Sequence, residues 1–418
     1  MSPVALIVFG LILIKCAAQL WLEALNRRNV LAHAGAVPEP LKEVVNEATY
    51  AKSVEYTLAK SRLRQLELVS DTAILIALLG SGVLPWAYNV FSQAFGVSAW
   101  ALAFFLVVIG VVLALPGLPL DWYAQFRLEE RFGFNTSTQK VWWLDRLKGL
   151  ILGILLGCPL LALILKLMEW TGSRWWLWAW GALLAFQLLL TLVAPVLILP
   201  LFNKFTPLPE GSLRERLLRL AQRTRFRAKS IQIMDGSKRS RHSNAFFTGF
   251  GRFRKIVLFD TLIQQLAEPE LEAVLAHEIG HFKKKHILKM LLASAVGSLV
   301  GFYVLSLLVK QEWFYTTFHF QPGNVAAALL LFGLLSNLVT FWFSPIVHAW
   351  SRRYEYQADA FAAAVMNETK PLTAALRKLS EKNLSNLTPH PVYSGFYYSH
   401  PTLLEREQAL ASRTLEQQ

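Results

Sequence analysis

Residues 98–118 read SAWALAFFLVVIGVVLALPGL and contain no charged side chain. An α-helix of about 20 apolar residues is long enough to cross the roughly 30 Å hydrocarbon core of a bilayer. The apolar helices buried in soluble domains are usually shorter than this stretch. The sequence therefore predicts a transmembrane helix here, and with it an integral membrane protein.

Six further segments share this length and apolar character. The seven predicted membrane helices lie at 4–24, 70–90, 98–118, 149–168, 176–202, 289–309 and 324–346. The chain is 54% hydrophobic and only 17% charged, whereas soluble domains carry about 25% charged residues. This composition excludes intrinsic disorder and disfavours a soluble multidomain protein. The first segment is not followed by a small-residue cleavage site, so we expect it to remain as a helix.

The connections between the predicted helices alternate in basic charge. The connections after the first, third and fifth helices are rich in Lys and Arg. Of the other three, the one after the second helix holds no basic residue, the one after the fourth holds Arg174, and the one after the sixth holds Lys310. Basic connections stay on the cytoplasmic side, which predicts an N-terminus outside and a C-terminus in the cytoplasm. Much of the net charge of +14 reflects this asymmetry. Nucleic-acid binding is the weaker interpretation, because no basic motif with interleaved aromatic residues accompanies the charge.

Two stretches, 203–288 and 350–418, are too polar to lie in a membrane. Within the first, 212–227 predicts a basic amphipathic helix, and 229–234 and 255–259 predict short strands. The predicted organisation is five membrane helices in 1–202, a cytoplasmic segment in 203–288, two membrane helices in 289–346 and a cytoplasmic end in 347–418. The cysteines, Cys16 and Cys158, lie in apolar segments, which disfavours a disulfide framework and a cysteine metal site.

The most informative motif is HEIGH at 277–281. Histidines four residues apart lie on one face of a helix, so His277 and His281 can bind one Zn²⁺ ion. Glu278 is then placed to act as the general base on an attacking water. The alternative is a solvated helix with incidental histidines. We expect His286 to lie well round the helix from this face. The other histidines outside the motifs have no ligand-spaced partner: His33, His242, His319, His348 and His390.

A catalytic zinc ion needs a third protein ligand and an open fourth position. Glu355 follows the last predicted membrane helix, which returns the chain to the side of His281. Asp359 lies one helical turn beyond Glu355, where it can accept a hydrogen bond from a ligand imidazole. The alternative for both acids is an ordinary exposed helix. The sequence predicts Glu355 as the third ligand and Asp359 as its supporting carboxylate.

Two further stretches are candidates for contacts with a peptide substrate. His400 and Arg406, in SHPTLLER at 399–406, can donate hydrogen bonds to the oxyanion that forms on a scissile carbonyl. The stretch SNAFFTG at 243–249 predicts an exposed edge strand, along which Asn244, Ala245 and Phe246 can bind an extended peptide. A turn histidine and a plain hairpin edge are the alternative interpretations.

Together these motifs resemble the type I CAAX prenyl protease family of integral-membrane zinc metallopeptidases. The resemblance spans the chain and includes RFGFNTST at 131–138 and NLSNLTPHPVYSGFYYSHPTLLER at 383–406. It implies a mainly α fold, with seven membrane helices around a chamber and a gluzincin-like cytoplasmic domain containing a small β-sheet. It also implies one zinc ion bound by His277, His281 and Glu355, with Glu278 as the base. Asn244, His400 and Arg406 would contact the peptide.

The activity implied by the resemblance is removal of the last three residues of prenylated CAAX proteins. The C-terminal sequence shows no retrieval signal for the endoplasmic reticulum, so we expect a bacterial inner-membrane protein. The expected partners are a peptide or protein substrate and membrane lipid, without nucleic acid. Two other functions stay open: a quality-control metalloprotease that needs no prenyl group, and a non-catalytic transporter or scaffold. The intact HExxH motif speaks against the latter.

Overall fold

The computed structural model describes residues 2–226, 230–248 and 255–416. The described chain is mainly α-helical, with one small mixed sheet, so the predicted fold class is confirmed. Arg227, Lys229 and Gly249, at the ends of three predicted segments, lie outside the described residues.

The first part of the chain is almost entirely helical. Its α-helices are α1 (Pro3–Ala32), α2 (Glu47–Gly80), α3 (Val83–Phe95), α4 (Ala99–Ala114), α5 (Leu118–Tyr123), α6 (Glu130–Phe132), α7 (Gln139–Trp170), α8 (Trp175–Val193) and α9 (Leu199–Phe202). Short 3-10 and π-helical turns join some of them, so that Ala99–Phe132 and Gly172–Phe202 each run as one long helix.

Among the described residues, six helices are long and apolar enough to cross a membrane, and the bent pair of α2 and α3 makes up to seven. Six of the predicted segments each fall on one of these helices. The predicted helix at 70–90 is the exception, because the chain bends by 61° between α2 and α3. Gly82, at this break, has a φ of 73°, a left-handed conformation that ends a helix and that glycine adopts without strain.

The second part of the chain builds the polar region and then returns twice to the membrane. Its first elements are β1 (Phe205–Pro207), α10 (Ser212–Arg223), β2 (Ser230–Met234), β3 (Ala245–Thr248), β4 (Lys255–Phe259), α11 (Asp260–Gln265) and α12 (Glu268–Lys283). They are followed by α13 (His286–Leu308), α14 (Glu312–Thr316), α15 (Val325–Thr340), α16 (Ser344–Met366), α17 (Lys370–Lys382), α18 (Pro391–Tyr397) and α19 (Leu403–Glu416). The predicted amphipathic helix is α10, and the two predicted strands are β2 and β4.

The sheet has the strand order β1-β2-β4-β3. The pair β2–β4 is parallel, whereas β1–β2 and β3–β4 are antiparallel. Within the described residues, β3 is therefore the strand at one end of the sheet, as the sequence predicted. It packs beside α12, the helix that carries the HEIGH motif.

The apolar core is divided into a membrane part and a polar-region part. The first joins buried side chains of α4, α7 and α15, including Phe105, Leu165 and Leu331. The second packs the sheet against α10, α12 and α16, and includes Leu217 and Ile279. Because Leu217 is fully buried, α10 rests its apolar side on the protein itself.

Polar contacts fasten the C-terminal segment to the first two helices. Tyr393 donates to the Glu23 carboxylate at 3.0 Å, and the Asn29 amide donates to the Thr388 carbonyl at 3.0 Å. Ser53 of α2 donates to the Ser385 carbonyl at 2.6 Å. Asn29 can make its contact because α1 continues to Ala32, past the end of the predicted membrane segment at 4–24. The segment that leads to His400 is thus held in place by membrane helices.

Candidate metal centre and active site

The helix α12 carries the HEIGH motif and is well defined by its sequence. Pro269 occupies the first turn, where a missing N–H costs nothing. The Glu270 carboxylate accepts a hydrogen bond from the Ala267 backbone N–H at 2.8 Å and so caps the helix. Leu275 and Ile279 are buried on the core side. With this side fixed, His277 and His281 are presented together on the opposite side.

The structure brings His277, His281 and Glu355 together as predicted. The Nε2 atoms of the two histidines lie 3.1 Å apart. Glu355 Oε1 is 3.2 Å from His281 Nε2, and Glu355 Oε2 is 3.4 Å from His277 Nε2. The candidate ligand atoms of all three residues lie within 4.8 Å of one another. One cation would therefore meet all three side chains.

Glu355 reaches the histidines because α16 packs very closely on α12. Gly280 lies at the contact, and a Cβ atom there would be only 3.0 Å from the Ala358 Cα and 3.1 Å from the Ala358 carbonyl oxygen. Both of these are backbone atoms, which cannot move aside as the end of a flexible side chain can. The glycine of HEIGH is thus part of the site's architecture.

An ion pair between Asp359 and Arg406 contacts the Nδ1 side of the His277 ring. The Nδ1 of His277 is 2.7 Å from Asp359 Oδ1. Asp359 is in turn held by Arg406, whose Nε donates to Oδ2 at 2.8 Å and whose Nη2 donates to Oδ1 at 2.5 Å. Asp359 is buried, and only 12% of the Arg406 side chain is exposed. The prediction that Asp359 faces a ligand imidazole matches this placement, whereas Arg406, expected at the oxyanion, binds Asp359.

His286 lies next to His281, contrary to the expectation that it points away. Its Nδ1 is 3.0 Å from His281 Nδ1, and its Nε2 is 3.0 Å from Gln357 Oε1. The expectation was wrong because it assumed a continuous helix. The helix α12 ends at Lys283, Lys285 has a left-handed φ of 57°, and α13 starts at His286, so the helical spacing of α12 does not continue to His286.

The hydrogen-bond pattern shows that a cation fits between these ligands. Asp359 can only accept, so His277 donates to it through Nδ1, and its Nε2 carries no proton in the neutral form. Glu355 Oε2 is buried without a hydrogen-bond donor among the described residues. Acceptors therefore face one another at this point, an arrangement that a positive ion stabilises.

The electrostatics of His277 agree with this interpretation. Burial disfavours its charged form, but the hydrogen bond to Asp359 and the adjacent carboxylate of Glu355 outweigh burial and raise the pKa of His277 to about 9. The pocket thus favours a positive charge at the position between the ligands. A proton or a metal cation can supply that charge, and the three-ligand set of two imidazoles and one carboxylate is typical of catalytic zinc sites.

Glu278 lies beside the first ligand on the same helix. It is largely buried, and burial raises the pKa of its carboxyl against the opposing effect of His277 and His281. A carboxylate whose pKa is raised toward neutrality is a better proton acceptor and donor than an exposed one. The placement is consistent with the predicted role of a general base.

His400 approaches the centre from the C-terminal segment. Its Nε2 is 3.5 Å from Glu355 Oε1, and its Nδ1 is 3.0 Å from the Ser399 hydroxyl. The side chain is 65% exposed and borders a cavity of about 540 Å³ that extends to the end of α1. His400 is thus near the candidate ligands while one face of its ring remains open.

The edge strand β3 runs beside the HEIGH helix, and its first residue, Ala245, is buried. The side-chain oxygen of Asn244 accepts a hydrogen bond from the Ala245 N–H at 2.8 Å, and the Asn244 carbonyl accepts from the Phe259 N–H at 3.1 Å. Ala245 is buried, and Phe246 packs edge-on against Phe259 at 6.2 Å. Asn244, just before the strand, is exposed, so both its side chain and the strand's free edge are accessible to a peptide.

Comparison with known proteins agrees with this geometry. The family profile described as CAAX prenyl protease N-terminal, five membrane helices, matches residues 26–204, and that of peptidase family M48 matches residues 207–414. The CAAX prenyl protease 1 homolog of Oryza sativa subsp. japonica is 36% identical over 387 residues, which cover 90% of each chain. The chain belongs to the CAAX prenyl protease family of M48 peptidases.

Other relatives of this M48 peptidase extend the match. The CAAX prenyl protease 1 homolog of Homo sapiens is 31% identical over 460 residues, covering 98% of this chain and 96% of the human one. The crystal structure of S. mikatae Ste24p has a TM-score of 0.91 and 33% identity, covering 98% of this chain and 99% of that chain. The predicted family is therefore confirmed, and the protein is a multi-pass membrane metallopeptidase.

Sequence reasoning missed three residues of the M48 site: Gly280, His286 and Gln357. The run Lys283-Lys284-Lys285, placed between HEIGH and an apolar segment, is the one signal that could have found His286. Such a basic run marks the entry to a membrane helix, and therefore a change of direction. Helical spacing counted from His281 does not continue through it.

Proposed function

We propose that this M48 peptidase is a zinc endopeptidase that removes the last three residues of prenylated proteins ending in a CAAX sequence. The observation that carries the proposal is the convergence of His277, His281 and Glu355 on one point, with acceptor atoms facing one another. Its relatives from Oryza sativa, Saccharomyces cerevisiae and Homo sapiens bear the name CAAX prenyl protease 1, which supports the substrate class.

One Zn²⁺ ion would be held by His277, His281 and Glu355. Zinc bound there would polarise the scissile carbonyl and acidify the attacking water. Asp359 fixes the proton of His277 on Nδ1 and keeps its Nε2 available to the metal. The main role of Arg406 is to hold Asp359 in place, as its two hydrogen bonds to that carboxylate indicate.

Glu278 takes the proton from the attacking water and later delivers it to the leaving amine nitrogen. The raised pKa of this partly buried carboxyl suits both steps, because the group must accept a proton and then give it up. His400 donates a hydrogen bond to the oxyanion that forms on the carbonyl. Its closeness to Glu355 and its open ring face support this role.

The substrate peptide lies extended along β3, opposite the strand β4. An edge strand offers backbone N–H and C=O groups to an added strand. Asn244 precedes β3, Ala245 and Phe246 begin it, and the strand packs beside α12. Prenyl recognition would take place among the membrane helices, in the chamber that the family resemblance implies. Membrane lipid is the expected neighbour of these helices, and nucleic acid is not an expected partner.

The proposed orientation places the N-terminus outside and the active site in the cytoplasm, because the basic connections alternate along the chain. We further propose a bacterial inner membrane as the location. Reporter fusions after Val97 and near Gln321 should then report the outside, and fusions after Arg146 and at the C-terminus the inside. An outside C-terminus would overturn the orientation.

The deciding experiment is a cleavage assay on one CAAX peptide in farnesylated and unmodified form, with purified protein in detergent. Release of the last three residues from the farnesylated peptide, with much slower cleavage of the other, is the expected result. The matched control is Glu278→Gln, which should retain zinc and lose activity because Gln is nearly isosteric but cannot accept the proton. Equal cleavage of both peptides would favour a quality-control protease. If the zinc-loaded protein cleaved neither peptide, the result would favour a transporter or scaffold.

A further inference from the structure

His286 is a buried polar residue that the proposed reaction does not use. Only 1% of it is exposed, and its ring stacks on Tyr354 with the ring centres 4.1 Å apart and an interplanar angle of 11°. Both ring nitrogens meet polar atoms, one on His281 and the other on Gln357. A buried imidazole held in this way has a defined orientation and a defined proton position.

The proton positions follow from the far end of this chain of contacts. Gln357 Oε1 can only accept a hydrogen bond, so Nε2 of His286 must carry the proton that it donates there. In the neutral ring, Nδ1 of His286 is then an acceptor. The Nδ1 of His281, 3.0 Å away, must therefore be the donor. This leaves Nε2 of His281 without a proton, on the side that faces His277 and Glu355.

We infer that His286 is a positioning residue for the metal centre, which sets the tautomer and ring orientation of His281 through a hydrogen bond between the two Nδ1 atoms. The inference rests on the proposed zinc site and extends it to a residue outside the ligand set. His286 itself is not a ligand, because its two nitrogens are engaged by His281 and Gln357 and neither points to Glu355.

The alternative role for His286 is packing, because its ring also stacks on Tyr354. Two substitutions separate these roles. His286→Phe keeps an aromatic ring for the stack but has no acceptor. His286→Asn loses the ring but places an oxygen at the position of Nδ1, two bonds from Cβ. A positioning role and a packing role therefore predict opposite rankings of the two variants.

The measurement is zinc affinity of the full-length protein by competition with a chelator, together with the Tm of the metal-free form. We expect His286→Phe to lower zinc affinity roughly 10–100-fold, as losing a partner of a ligand imidazole usually does. His286→Asn should retain affinity close to that of the unmodified protein, although its metal-free Tm falls. His348→Phe is the control, since His348 Nδ1 contacts the Phe396 carbonyl oxygen at 2.6 Å instead of a ligand.

Unchanged zinc affinity in His286→Phe, or an equal loss in both variants, would overturn the positioning role. Absence of zinc from the unmodified protein would instead contradict the proposed function, so the two failures are distinguishable. Should His286→Phe not fold, Gln357→Met tests the same contacts from their far end, because it removes the acceptor that fixes the proton of His286. Zinc affinity unaffected by that change would also overturn the inference.

Discussion

The two candidate histidine ligands are supported in different ways. His277 is backed by a carboxylate, Asp359, which is itself paired with the guanidinium of Arg406. His281 is backed by neutral groups, the imidazole of His286 and the amide of Gln357. Both supports fix a proton on Nδ1, so the two ligands present the same atom to the same point by different means.

The difference shows how the site limits its buried charge. A carboxylate behind a ligand imidazole raises its basicity, but each buried charge costs desolvation unless it is paired. Asp359 is 2% exposed and has Arg406 to compensate it. A second carboxylate behind His281 would need a second buried cation. A neutral imidazole fixes the tautomer without that requirement.

The largest expected effect comes from removing one of the two histidine ligands themselves. His277→Ala and His281→Ala should each abolish tight zinc binding, because catalytic sites with three protein ligands do not tolerate loss of one. Elemental analysis of the purified proteins should give about one zinc per chain in the unmodified protein and none in the variants. Stoichiometric zinc in a variant lacking both histidines would mean that the ligands lie elsewhere.

The second-largest effect is expected from a substitution that leaves the hydrogen-bond partners of both histidine ligands intact. His400 approaches Glu355 and contacts neither ligand support, so His400→Ala should keep zinc and lower kcat on the order of 10²–10³-fold, as loss of an oxyanion donor does. The measurement is kcat, KM and zinc content on one preparation. A loss confined to KM would indicate uniform substrate binding, and a loss of zinc would make His400 a ligand.

The third prediction tests the charged support. Asp359→Ala should weaken zinc affinity or activity roughly 10–100-fold, less than loss of a ligand. Arg406 would then be left buried without its partner, so the metal-free Tm should also fall. Chelator competition and thermal unfolding on the same protein separate the two effects. An unchanged affinity would make Asp359 an ordinary partner of Arg406 rather than a support of His277.

The ligand set could be predicted from sequence because it depends on regular spacing. Two histidines four residues apart share a helix face whatever the surrounding fold, and the predicted membrane crossings return Glu355 to the same side. The supports of the two ligands differ in this respect. Asp359 lies one turn from Glu355 and was predicted, whereas His286 depends on the break in the helix at Lys285.

Contacts between distant segments were the other features that sequence could not supply. Arg406 was expected to face the substrate, but its position on Asp359 is set by how α19 packs against α16. The break at Gly82 was missed for a related reason, since a single glycine within an apolar stretch does not by itself predict a left-handed φ of 73°. Hydropathy located the membrane helices well and their bends poorly.

The fourth prediction concerns the contact on which both supports depend. Gly280→Ala would place a Cβ 3.0 Å from the Ala358 Cα, which forces α12 and α16 apart. The expected destabilisation is about 1–3 kcal/mol, with lower zinc affinity because Glu355 moves with α16. Gly333→Ala is the matched control, since a Cβ there meets nothing within 4 Å. Equal Tm values for the two variants would contradict the close-packing argument.

The smallest expected effect comes from changing Gln357, which supports His281 only through His286. Gln357→Met removes the acceptor for His286 Nε2 and so releases the proton that fixes both tautomers. Because Gln357 acts through His286 and not on a ligand directly, zinc affinity should fall by less than the roughly 10-fold lower limit for direct partners. Gln357→Glu keeps an acceptor at the same position and adds a negative charge. Gln357 is exposed, so a carboxylate there needs no buried cation. That variant turns the neutral support into a charged one, and its zinc affinity should equal or exceed that of the unmodified protein. If Gln357→Glu binds zinc more weakly than Gln357→Met, the neutrality of this side is itself required, and the two supports are not interchangeable.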